Sequence, residues 1–221
     1  MREYVRAVAA IVYKDVLVEL RTRETVVAGS IFALLVAIVF ASALQLAPVA
    51  ARSVAPGLLW VTLAFAGVFA FGRSFAAERD RGCLDGLLLA PVDATALYAG
   101  KVVSGIVFMT VVLAVTLPSF SVLLGVGLLD LRLLPAALLG VSGFACAGVL
   151  FAAVALWGRA RDVLLPILFL PLAIPVVLTA AGSTRLVLAG LPQGDTLGVL
   201  TACTVLYAAL GIMLFDYTIE E

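Results

Sequence analysis

Six long windows with no charged side chain inside them constrain this chain more than any other feature. They run over residues 26–47, 54–72, from just past Lys101 to 129, and over 133–157, 163–182 and 196–215. An α-helix rises about 1.5 Å per residue, so about 20 apolar residues cross a hydrocarbon core of about 30 Å. A helix satisfies its own backbone N–H and C=O groups, which an apolar solvent cannot do. The expected fold is therefore an all-α integral membrane protein with six transmembrane helices in a single domain, 1–221. Composition agrees. The 221 residues are 64% hydrophobic and 13% charged, against about 25% charged in soluble domains.

Charge placement orients the spans. Six crossings put both termini on one side, together with residues 73–101 and 158–162. Of the 14 Lys and Arg, all but Arg52, Arg132 and Arg185 fall on that side, so the positive-inside rule makes it cytoplasmic. Residues 1–25 alternate apolar and basic positions at helical spacing, with Tyr4, Val5, Val8, Ile11, Val12 and Val16 set among Arg2, Arg6, Lys14, Arg21 and Arg23. This pattern predicts an amphipathic helix at the inner interface. It lacks the compact apolar core of a signal peptide, so the first span is expected to remain as an uncleaved anchor. Trp60 and Trp157 lie near window ends, where interfacial anchoring is expected.

The same features exclude several chemistries. Net charge is zero and the chain has no histidine, so nucleic acid is not implied as a partner and the commonest metal ligand is missing. Cys83, Cys146 and Cys203 are too far apart for a metal or redox motif and read as apolar filler. The Gly100-Lys101 pair in "ALYAGKV" lacks the remaining residues of a phosphate-binding loop. No span interior carries the ionisable residues expected of an ion-coupled carrier. An enzymatic role is not expected.

One charged stretch interrupts the apolar pattern, "RSFAAERDRGCLDGLLLAPVDATALYAGK" at 73–101. It reads as the second span continuing into the cytosol, a turn near Gly82, and a short helix with Leu84, Leu87 and Leu88 on one face. Asp93 is an expected N-cap for the third span, and Lys101 is expected near the interface. A topology signal needs only a few basic residues. Alternating signs at Glu78, Arg79, Asp80 and Arg81, then Asp85, offer specific pairing with another protein surface. Both readings, a solvated hairpin and a contact surface, are open on the residues alone.

The run "E-x-x-x-G-x-L-D-x-L-L-L-x-P" from Glu78 to Pro91, followed by Gly100-Lys101, resembles the first cytoplasmic loop of ABC-2-type exporter permeases. "ELRTRE" at 19–24, "APGLLWVTLAFAG" at 55–67 and "LPILFLPLAIPVVL" at 165–178 narrow the resemblance to the CcmB family, the haem exporter B subunits of cytochrome c maturation. It covers about residues 14–215. The resemblance implies a coupling helix within 73–92, with Glu78, Arg79, Asp80, Arg81, Gly82 and Asp85 as the interface to a separate CcmA-like ATPase that binds the ATP. It also implies a homodimer in the bacterial inner membrane, with a CcmC-like haem-handling protein, a small CcmD-like subunit and a haem chaperone as partners. The work implied is haem export or release of the loaded chaperone; a permease for another cargo and a non-transporting scaffold are the alternatives.

Haem iron takes His, Cys, Met or Tyr. Within the spans only Met109, Met213, Cys146, Cys203 and Tyr207 qualify, and each reads as core packing. Two further expectations concern the fifth window. Pro166, Pro171 and Pro175 interrupt it and are expected to bend it. The stretch from Ser183 to Asp195 is a candidate re-entrant turn.

Overall fold

The structure, a computed structural model, describes residues 2–44, 48–80, 93–156 and 161–219. Its helices are α1 (Arg2–Thr22), α2 (Glu24–Leu44), α3 (Pro48–Asp80), α4 (Ala94–Leu124), α5 (Leu134–Leu156), α6 (Arg161–Leu188) and α7 (Gly194–Ile219), with one 3-10 turn at Leu131–Leu133 before α5. Helices α2 to α7 are each long and apolar enough to cross a membrane. The chain is an all-α, multi-pass membrane protein, as the six windows predict.

Helix α5 forms the centre and packs on α3, α4, α6 and α7. In its candidate span 72% of the central window is buried, against 17% for α7. The cause is its sequence, "LPAALLGVSGFACAGVLFAAVAL", which is apolar on every face and rich in Gly and Ala. Between helices in lipid, small residues let neighbouring backbones and large rings approach closely. Gly140 receives Trp60, and Gly148 receives Phe71. Helix α2 uses the same device on one face only. Its buried positions Thr25, Gly29, Ala33, Ala37 and Ala41 recur every fourth residue, while Ile31, Leu35, Ile38 and Val39 face outward. It packs on α3 and α4.

Rings from three helices form a column through the interior. Trp60 lies 6.1 Å from Phe144, Phe144 lies 6.1 Å from Phe169, and Phe169 lies 5.7 Å from Phe71. These tilted and edge contacts join α3, α5 and α6 into one body.

Four expectations are corrected. Trp60 is not an interfacial anchor: it is 2% exposed, and its indole N–H donates to Thr184 Oγ1 at 3.0 Å. Trp157 lies outside the described residues. The third span is Ala94–Leu124 rather than 101–129, because Gly125 caps the helix in the left-handed region at φ 63°. The apolar residues after it form an irregular connection in which the Leu128 backbone N–H donates to the Val126 carbonyl at 2.8 Å, with Val126 and Leu128 buried in the core; hydropathy alone cannot separate such a segment from helix. The re-entrant turn at 183–195 is also absent: α6 continues to Leu188, Gly190 turns at φ 70°, and α7 begins at Gly194. Gln193, in the short connection between α6 and α7, bridges the two sides of it: Ser183 of α6 donates to its Oε1, and its Nε2 donates to the Arg132 carbonyl at 2.6 Å. Finally, Met213 is 69% exposed on α7 rather than packed in the core. Pro166, Pro171 and Pro175 lie within the continuous helix α6.

Candidate coupling site

The charged stretch that drew attention in the sequence is flanked by two well-defined ends. Helix α3 runs through Glu78, Arg79 and Asp80, so the expected continuation beyond the second span is present as helix. The side chains of those three residues, together with Arg81, Gly82, Asp85 and the short helix expected after Gly82, lie outside the described residues. Description resumes at Asp93, the expected N-cap. Its carboxylate accepts from the Thr95 backbone N–H at 3.1 Å and from the Thr95 hydroxyl at 3.0 Å. The carboxylate thus satisfies one of the unpaired N–H groups in the first turn of α4.

Helix α1 ties these two ends together. At its far end it turns into α2 at a single residue, Arg23, held at φ 55°. A non-glycine residue in that region is uncommon and needs support from its surroundings. The support is a remote cap: Glu19 Oε1 accepts from the Val26 backbone N–H at 2.8 Å, closing the first turn of α2. The next residue, Glu24, pairs with Arg73 of α3, just before the charged stretch.

Along its length α1 lies on the first turns of α4. The Tyr4 hydroxyl donates to the Thr95 carbonyl at 3.2 Å. Ile11 sits on Gly100 so closely that a Cβ there would fall 2.8–2.9 Å from its side chain. One turn of α1 further on, Asp15 meets Lys101. The ammonium lies 3.3 Å from Oδ1 and 3.2 Å from Oδ2, and the two side chains are 1% and 11% exposed for Lys101 and Asp15 respectively. Lys14 also pairs with Asp15, at 3.3 Å.

Lys101 therefore qualifies the expectation that no spanning helix carries an ionisable residue inside it. It belongs to the candidate span Ala94–Leu124, but lies about two turns from its start and reaches out to α1. Sequence reasoning placed Lys101 near the interface and missed Asp15 as its partner. The available signal was the 4, 11, 15 spacing on α1, which puts Tyr4, Ile11 and Asp15 on one helix face.

The same turns of α4 are also anchored inward. The Tyr98 hydroxyl donates to the Cys146 carbonyl of α5 at 3.0 Å. Its ring lies 5.2 Å from Phe215 of α7 and covers Gly211, where a Cβ would collide with it. Tyr98 and Lys101 are three residues apart, so neighbouring side chains of one helical turn grip the core and α1.

Of the residues weighed as haem ligands, Met109, Cys146 and Tyr207 are buried, and the Tyr207 hydroxyl donates to the Leu172 carbonyl at 2.8 Å. Cys203 is half-buried. Among the described residues no three His, Cys, Asp or Glu side chains gather as a metal site. The described part of the site is a helix end that runs into the charged stretch, a strap formed by α1 across the first turns of α4, and charge pairs at the joints.

A family model described as CcmB protein matches residues 6–220. Heme exporter protein B of Pseudomonas aeruginosa is 29% identical over 163 residues, covering 72% of both chains. Heme exporter protein B of Paracoccus denitrificans is 32% identical over 158 residues, covering 71% of this chain and 72% of the relative. That of Bradyrhizobium diazoefficiens is 23% identical over 207 residues, 93% of each.

Proposed function

The chain belongs to the CcmB family, and on that premise we propose that it is the membrane subunit of an ABC-type complex that serves cytochrome c maturation through haem export. The observation that carries the reading is the family match across residues 6–220. In this reading the whole chain, 1–221, is one ABC-2-type transmembrane domain in the bacterial inner membrane, with both termini cytoplasmic and α1 as an interface helix. ATP is hydrolysed by a separate CcmA-like subunit, and this chain is non-catalytic.

The contact to that subunit is the stretch 73–92, through Glu78, Arg79, Asp80, Arg81, Gly82 and Asp85. Closure of the ATPase pushes on this loop, and α3 and α4 carry the movement into the core. The haem-handling CcmC-like protein, the CcmD-like subunit and the haem chaperone are the further partners, and a homodimer is the working assembly. The result of the stroke is haem export or release of the loaded chaperone.

The packing supports a transmitting role. The ring column makes α3, α5 and α6 one body, and α3 is also the helix that runs on into the charged stretch. A bacterium lacking its own CcmB-family gene tests the pathway. Expression of this chain is expected to restore covalently haem-stained c-type cytochromes. Normal membrane insertion with no c-type cytochrome would break the link to that pathway and favour another cargo or a scaffold role.

A further inference from the structure

We propose that the buried ion pair between Asp15 and Lys101 is the positioning link that makes α1 and α4 move together, so that a load on the loop after Asp80 reaches α4 through α1 as well as directly. The inference rests on the coupling reading above.

The argument begins with connectivity. The loop joins the end of α3 at Asp80 to the start of α4 after Asp93. Each edge is held by a charge pair to the α1–α2 elbow: Arg73 to Glu24 on the α3 side, Lys101 to Asp15 on the α4 side. Between those pairs, Glu19 caps α2 and fixes the elbow. The chain thus closes a ring from α3 through α2 and α1 to α4, with the loop as its remaining arc.

Within this ring the joints differ in kind. Arg73 and Glu24 are both more than half exposed, and an exposed pair of this type holds little against solvent and salt. Asp15 and Lys101 are almost enclosed. Removing Asp15 takes a carboxylate from the enclosed Lys101 ammonium, and removing Lys101 leaves Asp15 to its contact with Lys14 at 3.3 Å. Losing one member of an enclosed pair is costly, whereas replacing both by apolar residues of similar size is often harmless to folding. An apolar contact at the same place would permit sliding along α4. A charge pair hydrogen-bonded at Asp15 Oδ1 ties one point of α1 to one point of α4 and so fixes the register between the helices. Next to Lys101, Tyr98 passes any shift of α4 to α5 and α7.

This separates stability from transmission, and the test uses the separation. The full chain is expressed in a strain lacking its own family member, and three quantities are read: chain per membrane, ABC-type ATPase co-purified per chain, and c-type cytochrome per chain. Lys101→Met and Asp15→Leu alone are expected to lower the amount of chain. The double variant D15L/K101M is expected to restore that amount and retain the ATPase, while cytochrome per chain stays down by about tenfold. Wild-type cytochrome per chain in the double variant would overturn the proposal, because the pair would then be packing alone.

If the double variant does not accumulate, Asp15→Asn and Asp15→Glu decide the matter per chain. Loss with Asn and retention with Glu support the link; equal behaviour overturns it. A wild-type chain that recovers no ATPase is a different result, and counts against the coupling reading itself.

Discussion

Gly148→Leu should all but abolish accumulation of the chain in the membrane. A Cβ at 148 would fall 2.1–2.5 Å from the Phe71 ring, and the same ring is pressed on its other side by Gly105, where a Cβ would fall 2.9 Å away. Phe71 also meets the Phe169 ring at a tilt, 5.7 Å between centroids, and is fully buried, so it has no free direction in which to retreat. Overpacking a well-filled core costs about 1–3 kcal/mol for added methylenes that can be partly absorbed. Here a whole leucine meets a ring wedged from two sides, and the upper end or more is expected. Two controls give the prediction its sense. Gly198→Leu adds the same side chain to an exposed face of α7, where a Cβ meets nothing within 4 Å, and should be silent. Phe71→Ala combined with Gly148→Leu removes the obstacle and should recover much of the loss. Fluorescence of a fusion protein in membranes, with thermal melts in detergent, reads all three; wild-type behaviour of Gly148→Leu alone would contradict the packing.

The second large effect concerns the charged loop. The variant E78R/D85R is expected to insert normally yet lose the ATPase, with recovery falling below about one-tenth of wild type and c-type cytochromes falling with it. The reasoning rests on sign. If the loop served only to fix topology, two added arginines on the basic side would strengthen the signal, since basic residues set orientation and acidic ones contribute little. If Glu78 and Asp85 pair with a basic surface, reversal turns attraction into repulsion, and like charges juxtaposed at an interface cost several kcal/mol. Co-purification from native membranes distinguishes the two. Full recovery of ATPase and cytochromes by the reversed variant would leave the loop as a topology signal.

How much of this was legible in the sequence follows from what each signal measures. Hydropathy counts how long a chain can stay in lipid, so it found all six spans. It has no view of backbone conformation. It therefore ran past Gly125, whose left-handed φ stops α4, into a buried non-helical segment at Val126 and Leu128. The cap at Asp93 was readable because capping is local, a carboxylate two residues from the N–H it accepts from. Trp60 was misread because tryptophan's preference for interfaces is an average. In this fold a glycine at position 140 of another helix makes room for the ring, and Thr184 accepts its N–H.

The candidate coupling site divides in the same way. Its loop was conspicuous because charge stands out in an apolar chain. Its strap was not, because Asp15 and Lys101 are 86 residues apart, and only the packing of α1 on α4 brings them together. Sequence read α1 as an amphipathic helix and left its partner open. Ile11 on Gly100 supplies the answer, a contact that depends on the absence of a side chain.

The central claim is that this membrane domain works with a separate ATPase. The direct test is purification of the tagged chain from native membranes in mild detergent, with and without prior cross-linking, followed by mass spectrometry of what remains bound. The account predicts an ABC-type ATPase together with haem-handling membrane proteins. Repeated preparations, cross-linked ones included, that hold the chain and no ABC-type ATPase would contradict it.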